Sequence, residues 1–529
     1  MHADGIPYAE ALRAYDPTRE PAAPADELAT GELLRRYHPD YLSESMVALR
    51  IGPNKGDRCH RRLAELLQAN AIIDEAELAG APVTETDVLV VGGGGAGCAA
   101  ALTAVQGGAR VLLATKLRLG DSNTVMAEGG IQASVEKGDT PQRHFDDIMR
   151  GGHGSSDPHL VKQLVMDGPD VIRWLIHQGM QFDVNEFGDL LTRKAGGASA
   201  ARVVYCCDYT GLEMMRALRE TVCNRRDIRV WENSPVVELL SNDQGHCAGA
   251  VVYSPDRASF SIIKAQAVIL TTGGMGRLHL NGFPTSNHFG ATADGLVLAY
   301  RMGARLMELD SFQYHPSGLA YPTHLAGYLV TEGLRSAGAN LLNGLGERFV
   351  DELKPRDYVA AAMLRECDEG RGVRVDADTV GIWLDTPALE RKRPGLLAGR
   401  FPKLLQTVAK GNVDPTREPL LIYPTLHYHN GGVAIDDHGA TGVPGLFCAG
   451  EAAGGIHGRN RLMGNALLDI ICFGRRAGSK AAEVCHGRGH KTVGLEHVNR
   501  LRRELTEADL PRDVKSPMLF PSYANFRIG

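Results

Sequence analysis

The chain has no long hydrophobic run and no dominant sign of charge, and each shortage removes a class of function. No stretch approaches the roughly 18 consecutive apolar residues that cross a bilayer. The start, Met1 to Gly5, lacks the basic and apolar regions of a secretory signal. The sequence therefore predicts a cytoplasmic protein with no direct membrane span, attached to a membrane only through a partner. A formal charge of -6, with both signs mixed along the chain, gives neither a basic field for nucleic acid nor a polybasic patch. The ten cysteines form no C-x-x-C pair and show no zinc or iron-sulfur spacing, so they are expected to be reduced thiols.

What the chain does have is length and glycine. At 529 residues it exceeds a single core, and units of about 100 to 200 residues predict several pieces. Its 62 glycines fall in short clusters beside apolar runs, as tight turns against a ligand require. Residues 1–84 form an extension in which Leu63, Leu66 and Leu67 predict an amphipathic helix over Arg61 to Ile73. The stretch Gly52 to Asp57 lacks the spacing of a phosphate loop and reads as an ordinary turn.

From Thr86 the pattern changes to a buried strand, Val88 to Val91, then glycines, a helix over Ala96 to Val105 and a second strand from Val111 to Thr115. Gly92, Gly94 and Gly97, with Gly95 and Ala96 between them, form a G-x-G-x-x-G turn between strand and helix. There the backbone can approach a pyrophosphate and the helix N-terminus attracts it. The second strand ends in Thr115 and Lys116 rather than the acid that holds a ribose hydroxyl, which counts against ordinary NAD binding. The strand Ala267 to Thr271 ends in Thr272, Gly273 and Gly274, where backbone can again approach a ligand. The segment from Leu306 is mixed, with a helix over Tyr358 to Cys367, until Gly445 to Glu451 restores a buried strand, so it reads as an insertion.

Seven motifs follow in order: Asp121 to Gly130 (DSNTVMAEGG), Asp294-Gly295, His315 to Gly318 (HPSG), Thr331 to Arg335 (TEGLR), Pro355 to Asp357 (PRD), His427 to Gly432 (HYHNGG) and His457 to Leu468 (HGRNRLMGNALL). With them the chain resembles the succinate dehydrogenase, fumarate reductase and L-aspartate oxidase flavoprotein family from about residue 85 to 480. The resemblance implies an α/β fold, in which a Rossmann-like FAD-binding domain (85–305 and 421–485) is interrupted by a smaller α+β capping domain (306–420). The extension 1–84 precedes it and a short tail, 486–529, follows. It implies FAD contacts from the Gly92 to Gly97 turn, Thr115, Lys116, Ser122, Asn123, Thr124, Gly129, Gly130, Val236, Thr272, Gly273, Asp294, Glu451, Arg461, Ala466 and Leu467. Taken singly, Asp294 and Glu451 would read as capping or surface carboxylates.

Reducing a fumarate-like double bond needs a hydride donor, a proton donor on the opposite face, and groups that hold both carboxylates. The resemblance implies that His427 and Arg461 bind one carboxylate, that His315 and Thr331 serve the other end, and that hydride comes from FAD N5. It assigns the proton to Arg356, relayed through Glu332 and Arg335, with His315 also in the catalytic set. Arginine normally stays protonated, but a developing carbanion is a far stronger base. His429, His457 and Arg459 stay outside this set, because the pattern around them is looser.

Many relatives attach FAD through a histidine at the position of Asn123, so the cofactor here is expected to be non-covalent. Met463 and Ala466 stand where small and hydroxyl residues are more usual. With no cluster motif of its own, the chain is expected to exchange electrons with an iron-sulfur or other electron-transfer subunit, with a soluble reductant or with oxygen. Two rival readings remain open. One is L-aspartate oxidase, which Trp174 to Asp183 and Gly432 to Gly439 resemble; the other is a flavin-carrying electron-transfer subunit whose dicarboxylate site is unused.

Overall fold

An uninterrupted apolar run such as Val88 to Val91 must be covered on both faces. The computed structural model, which describes residues 8–24, 28–485 and 492–519, shows how this is done. Strand Val83–Val91 lies inside a seven-stranded sheet ordered Val236–Ser241, Cys247–Ser254, Ser259–Leu270, Val83–Val91, Val111–Ala114 and Ile228–Trp231, with Leu446–Cys448 also beside Ser259–Leu270. The pairings that involve Leu446–Cys448, Val83–Val91, Val111–Ala114 and Ile228–Trp231 are parallel, and the two hairpin pairings at the opposite edge are antiparallel. Val88 and Val90 face a core shared with helices Gly95–Gln106 and Asn465–Cys485. Leu89 and Val91 face a second core that includes helix Asp294–Met302. The first two helices can lie close because small residues line their contact: a Cβ on Gly478 would sit 2.3 Å from the Ala100 carbonyl oxygen.

A second, antiparallel sheet is ordered Phe312–Leu319, Leu420–His429, Val380–Leu384, Leu341–Leu342, with Val373–Arg374 on Val380–Leu384. Helix Arg356–Asp368 packs across it in a separate apolar core. The expected boundary at 420/421 falls at the head of strand Leu420–His429, which stays paired in this sheet through His429. The two crossings between the bodies are pinned to each other, since Leu306–Met307 pairs with Gly432–Val433.

The extension touches both bodies. Leu33 and Leu34 of helix Thr30–Tyr37 are buried in the cap core, whereas Cys59, Leu63 and Leu67 enter the second core of the large domain. Gly52 to Asp57 closes a hairpin between Met46–Ala48 and Arg58–His60, as a turn should. The helix expected over Arg61 to Ile73 stops at Leu67, because Asn70–Ala71 pairs in parallel with Lys515–Ser516. The described part of the tail also carries helix Glu496–Glu507, with Val498, Leu501 and Leu505 buried. Among the described residues, no helix is long and apolar enough to cross a membrane.

Candidate active site

One continuous cavity runs from the glycine turn to the paired histidines and arginines, lined from both bodies. At the first end the chain leaves strand Val83–Val91 through Gly92 at φ 113°, where a Cβ would lie 2.4 Å from the Thr271 carbonyl oxygen. A Cβ on Gly97 would lie 1.9 Å from the Gly92 oxygen, so Gly97 makes the turn possible rather than lining the cavity. Gly92 to Ala96, Thr115, Lys116, Val236, Thr272, Gly273 and Asp294 all line it. Lys116 Nζ donates to Asp294 Oδ2 at 2.6 Å and to Thr292 Oγ1 at 2.7 Å, so the cation that replaces the usual acid has its own counter-ion. A bare backbone cradle at a helix N-terminus suits a pyrophosphate. The buried Thr272 Oγ1, Glu128 Oε2 and Arg461 Nε have no hydrogen-bond partner within the protein. The residues present therefore fit FAD.

In the middle, Ser122, Asn123, Thr124, Gly129, Gly130, Glu451, Ala466 and Leu467 line the wall. Helix Asn465–Cys485 carries Ala466 and Leu467 in its first turn. Asn123 Nδ2 donates to Glu451 Oε2 at 3.0 Å and Asn287 Oδ1 at 3.1 Å, while its Oδ1 accepts from the His288 N–H at 2.7 Å. Burial raises the Glu451 carboxyl, against hydrogen bonds from the His429 N–H and Asn123. Glu128 is pushed up to about 7 by burial, which outweighs the opposing Lys403 ammonium 3.1 Å away.

At the far end, neighbouring strands of the second sheet carry His315 and His427, whose ring centres are 5.0 Å apart. His427 Nδ1 is 2.7 Å from Ser286 Oγ, and His315 Nδ1 accepts from the Ser317 N–H at 3.1 Å. Arg356 occupies the first helical turn after Pro355, two residues earlier than expected for this helix. Its Nε donates to Glu332 Oε2 at 2.8 Å and its Nη1 to Gln313 Oε1 at 2.9 Å. Arg335 stands behind, outside the cavity lining, donating to the same Glu332 oxygen at 3.3 Å and to the Glu352 carbonyl at 2.5 Å. Thr331 lines the cavity, and its Oγ1 accepts from the Gly333 N–H. Arg461 Nη2 donates to Gln313 Oε1 at 2.9 Å.

These groups set one another's charge. Burial disfavours an ionised Glu332, but Arg356, Arg335 and the Gly196 N–H outweigh it and hold the carboxyl down at about 2. Burial and then the nearby guanidiniums hold His315 and His427 well below the usual histidine range. Burial, followed by the Arg356 charge, lowers Arg461 to about 10. The result is a buried site with neutral imidazoles and more guanidinium than carboxylate charge.

The structure brings together every site residue expected from the sequence, with Gly97 and Arg335 one layer behind the cavity wall. It adds Gln313, Tyr428, Ser286, Asn287 and Glu128. Gln313 could have been found from its spacing, since it lies two residues before His315 on one strand. Ser286 and Asn287 carried no such signal, because only the chain crossing brings them to His427.

A family model described as an FAD binding domain matches residues 87–467. The chain is 40% identical over 410 residues to a fumarate reductase (CoM/CoB) subunit of Methanothermobacter marburgensis, covering 75% of this chain and 73% of that one. It is 37% identical over 448 residues to the L-aspartate oxidase of Streptomyces coelicolor, covering 82% and 74%. A variant of E. coli quinol fumarate reductase FrdA aligns with a TM-score of 0.73 at 30% identity, covering 80% of this chain and 75% of that one.

Proposed function

The chain belongs to the FAD-binding oxidoreductase family of fumarate reductase and succinate dehydrogenase flavoprotein subunits and L-aspartate oxidase, and from that premise we propose that it reduces the central double bond of a C4 dicarboxylate such as fumarate. The observation that carries this reading is the charge of the far end. Arg335 and Arg356 share one ionised carboxylate, Glu332, within a buried site, and the buried Arg461 beside them has no ion pair among the described residues. Excess buried guanidinium charge is costly unless an anion compensates it, and a dicarboxylate does so with two forked acceptors.

Bound FAD would supply a hydride equivalent to one alkene carbon. Arg461 and His427 would hold one carboxylate, with His315 and Thr331 at the other. Arg356 would give a guanidinium proton to the second carbon, completing the addition of two hydrogens. Glu332 bridges the Arg356 and Arg335 guanidiniums, so it can return a proton to Arg356 from the Arg335 side. In the reverse direction Arg356 would take the proton. FAD would be held without a covalent bond, because Asn123 offers a carboxamide where the histidyl link would form. Acid precipitation should then leave the flavin in the supernatant. Electrons would arrive through an iron-sulfur or other electron-transfer subunit; relatives that are themselves named as subunits support this role.

The test is anaerobic reduction of the purified flavoprotein by a viologen dye, followed by reoxidation with fumarate, and separately turnover of L-aspartate with oxygen. Rapid reoxidation by fumarate that disappears in Arg356→Ala is expected. Aspartate turnover instead would transfer the assignment to the oxidase, and neither activity would leave a flavoprotein whose dicarboxylate site is unused.

A further inference from the structure

Arg461 can fork around a carboxylate only if its plane is fixed, yet few hydrogen bonds fix it. Its Nη2 donates to Gln313 Oε1, its Nη1 makes a 3.4 Å contact with the Leu462 carbonyl, and its Nε has no partner within the protein. What faces the guanidinium is an aromatic ring: the Arg461 Cζ lies 4.4 Å from the centre of Tyr428. Gln313 and Tyr428 are register partners on adjacent strands, so one cross-strand pair grips the guanidinium by its edge and by its face. The Gln313 amide is oriented in turn, its Nε2 donating to the Arg461 carbonyl at 2.6 Å.

The ring is itself held from behind. Tyr428 donates its hydroxyl to Asp469 Oδ2 at 3.4 Å, and the same carboxylate oxygen is 3.3 Å from His457 Nε2. The His457 ring meets Tyr428 edge-on at 5.5 Å. Tyr428, His457, Arg461 and Asp469 are all at least 94% buried, so water does not screen the contact between guanidinium and ring.

We propose that Tyr428 is a positioning residue for substrate, presenting the Arg461 guanidinium flat and pre-aligned to a substrate carboxylate, with Asp469 and His457 holding the ring in place. This inference rests on the dicarboxylate reading. A desolvated cation–π contact makes the unaligned state of Arg461 rare, so removing the face should weaken dicarboxylate binding by about tenfold or more.

The experiment uses the full-length flavoprotein and malonate, a dicarboxylate with no double bond to reduce, titrated by the change in flavin absorbance. Tyr428→Leu should raise the malonate Kd and the fumarate KM by about tenfold, with a smaller effect on kcat. Tyr428→Phe, which keeps the face and loses only the hydroxyl, should recover most of the affinity. If Tyr428→Leu sheds its flavin, Tyr428→Met takes its place. A leucine or methionine variant that holds FAD and binds malonate as tightly as the parent overturns the inference, as does loss of flavin from both. A parent protein that neither binds malonate nor is reoxidised by fumarate overturns the dicarboxylate reading itself.

Discussion

Replacing Glu332 by glutamine tests the proton relay most directly, because the side chain keeps its shape and loses only its charge. Glu332 Oε2 accepts from both Arg356 and Arg335, and Oε1 accepts from the Gly196 N–H at 2.8 Å. Holding a buried carboxyl at about 2 rather than near 4.5 corresponds to roughly 3 kcal/mol of preference for the charged form. Since the folded value is depressed, that contribution is present above the unfolded value and is lost as pH falls from about 4.5 towards 2. Glu332→Gln should lower stability by about 3 kcal/mol at neutral pH, because both guanidiniums stay buried with their shared counter-charge gone. The deficit should shrink below pH 4.5. Loss of a positioned acid–base group typically costs about 10² to 10⁴ in rate, so kcat for fumarate should fall at least about 10²-fold. Affinity for malonate should rise, since the ligand becomes the missing anion. Anaerobic stopped-flow reoxidation and thermal melts with and without malonate would measure all three. A variant with kcat within about threefold of the parent would refute the relay, since a general acid–base contribution is typically about 10²-fold or more.

Three further outcomes follow from other parts of the molecule. Gly97→Ala should yield protein without flavin by absorbance, because its Cβ would occupy the space of the Gly92 oxygen 1.9 Å away. Glu128→Gln should change stability in a pH-dependent way. The parent carboxyl is raised to about 7, so the parent loses stability as pH rises from about 4.5 to 7; the melting temperature of the variant relative to the parent should climb over that window and level off above it. Ala258, exposed in the hairpin turn before Ser259–Leu270, has φ 47°. Ala258→Gly should stabilise the protein by about 1 kcal/mol in urea melts, and an unchanged midpoint would show that the turn is unstrained.

The nucleotide end, and the identity of the residues gathered at the far end, were legible in the sequence. The strand, glycine turn and helix from Val83 to Gln106 are local structure, dictated by apolar runs and by Gly92 and Gly97, where a side chain would strike backbone. His315, Glu332, Arg335, Arg356, His427 and Arg461 were legible as members of ordered motifs. What they do to one another was not, because their charges depend on distances across hundreds of residues of chain. Only the folded arrangement puts Arg461 against Tyr428, sets Gln313 between two guanidiniums and holds Glu332 ionised in a buried place. The same holds for the extension, whose Leu33 and Leu34 enter the cap while Leu63 and Leu67 enter the large domain. Periodicity shows which side chains must be buried; the partner that buries them is decided by tertiary packing.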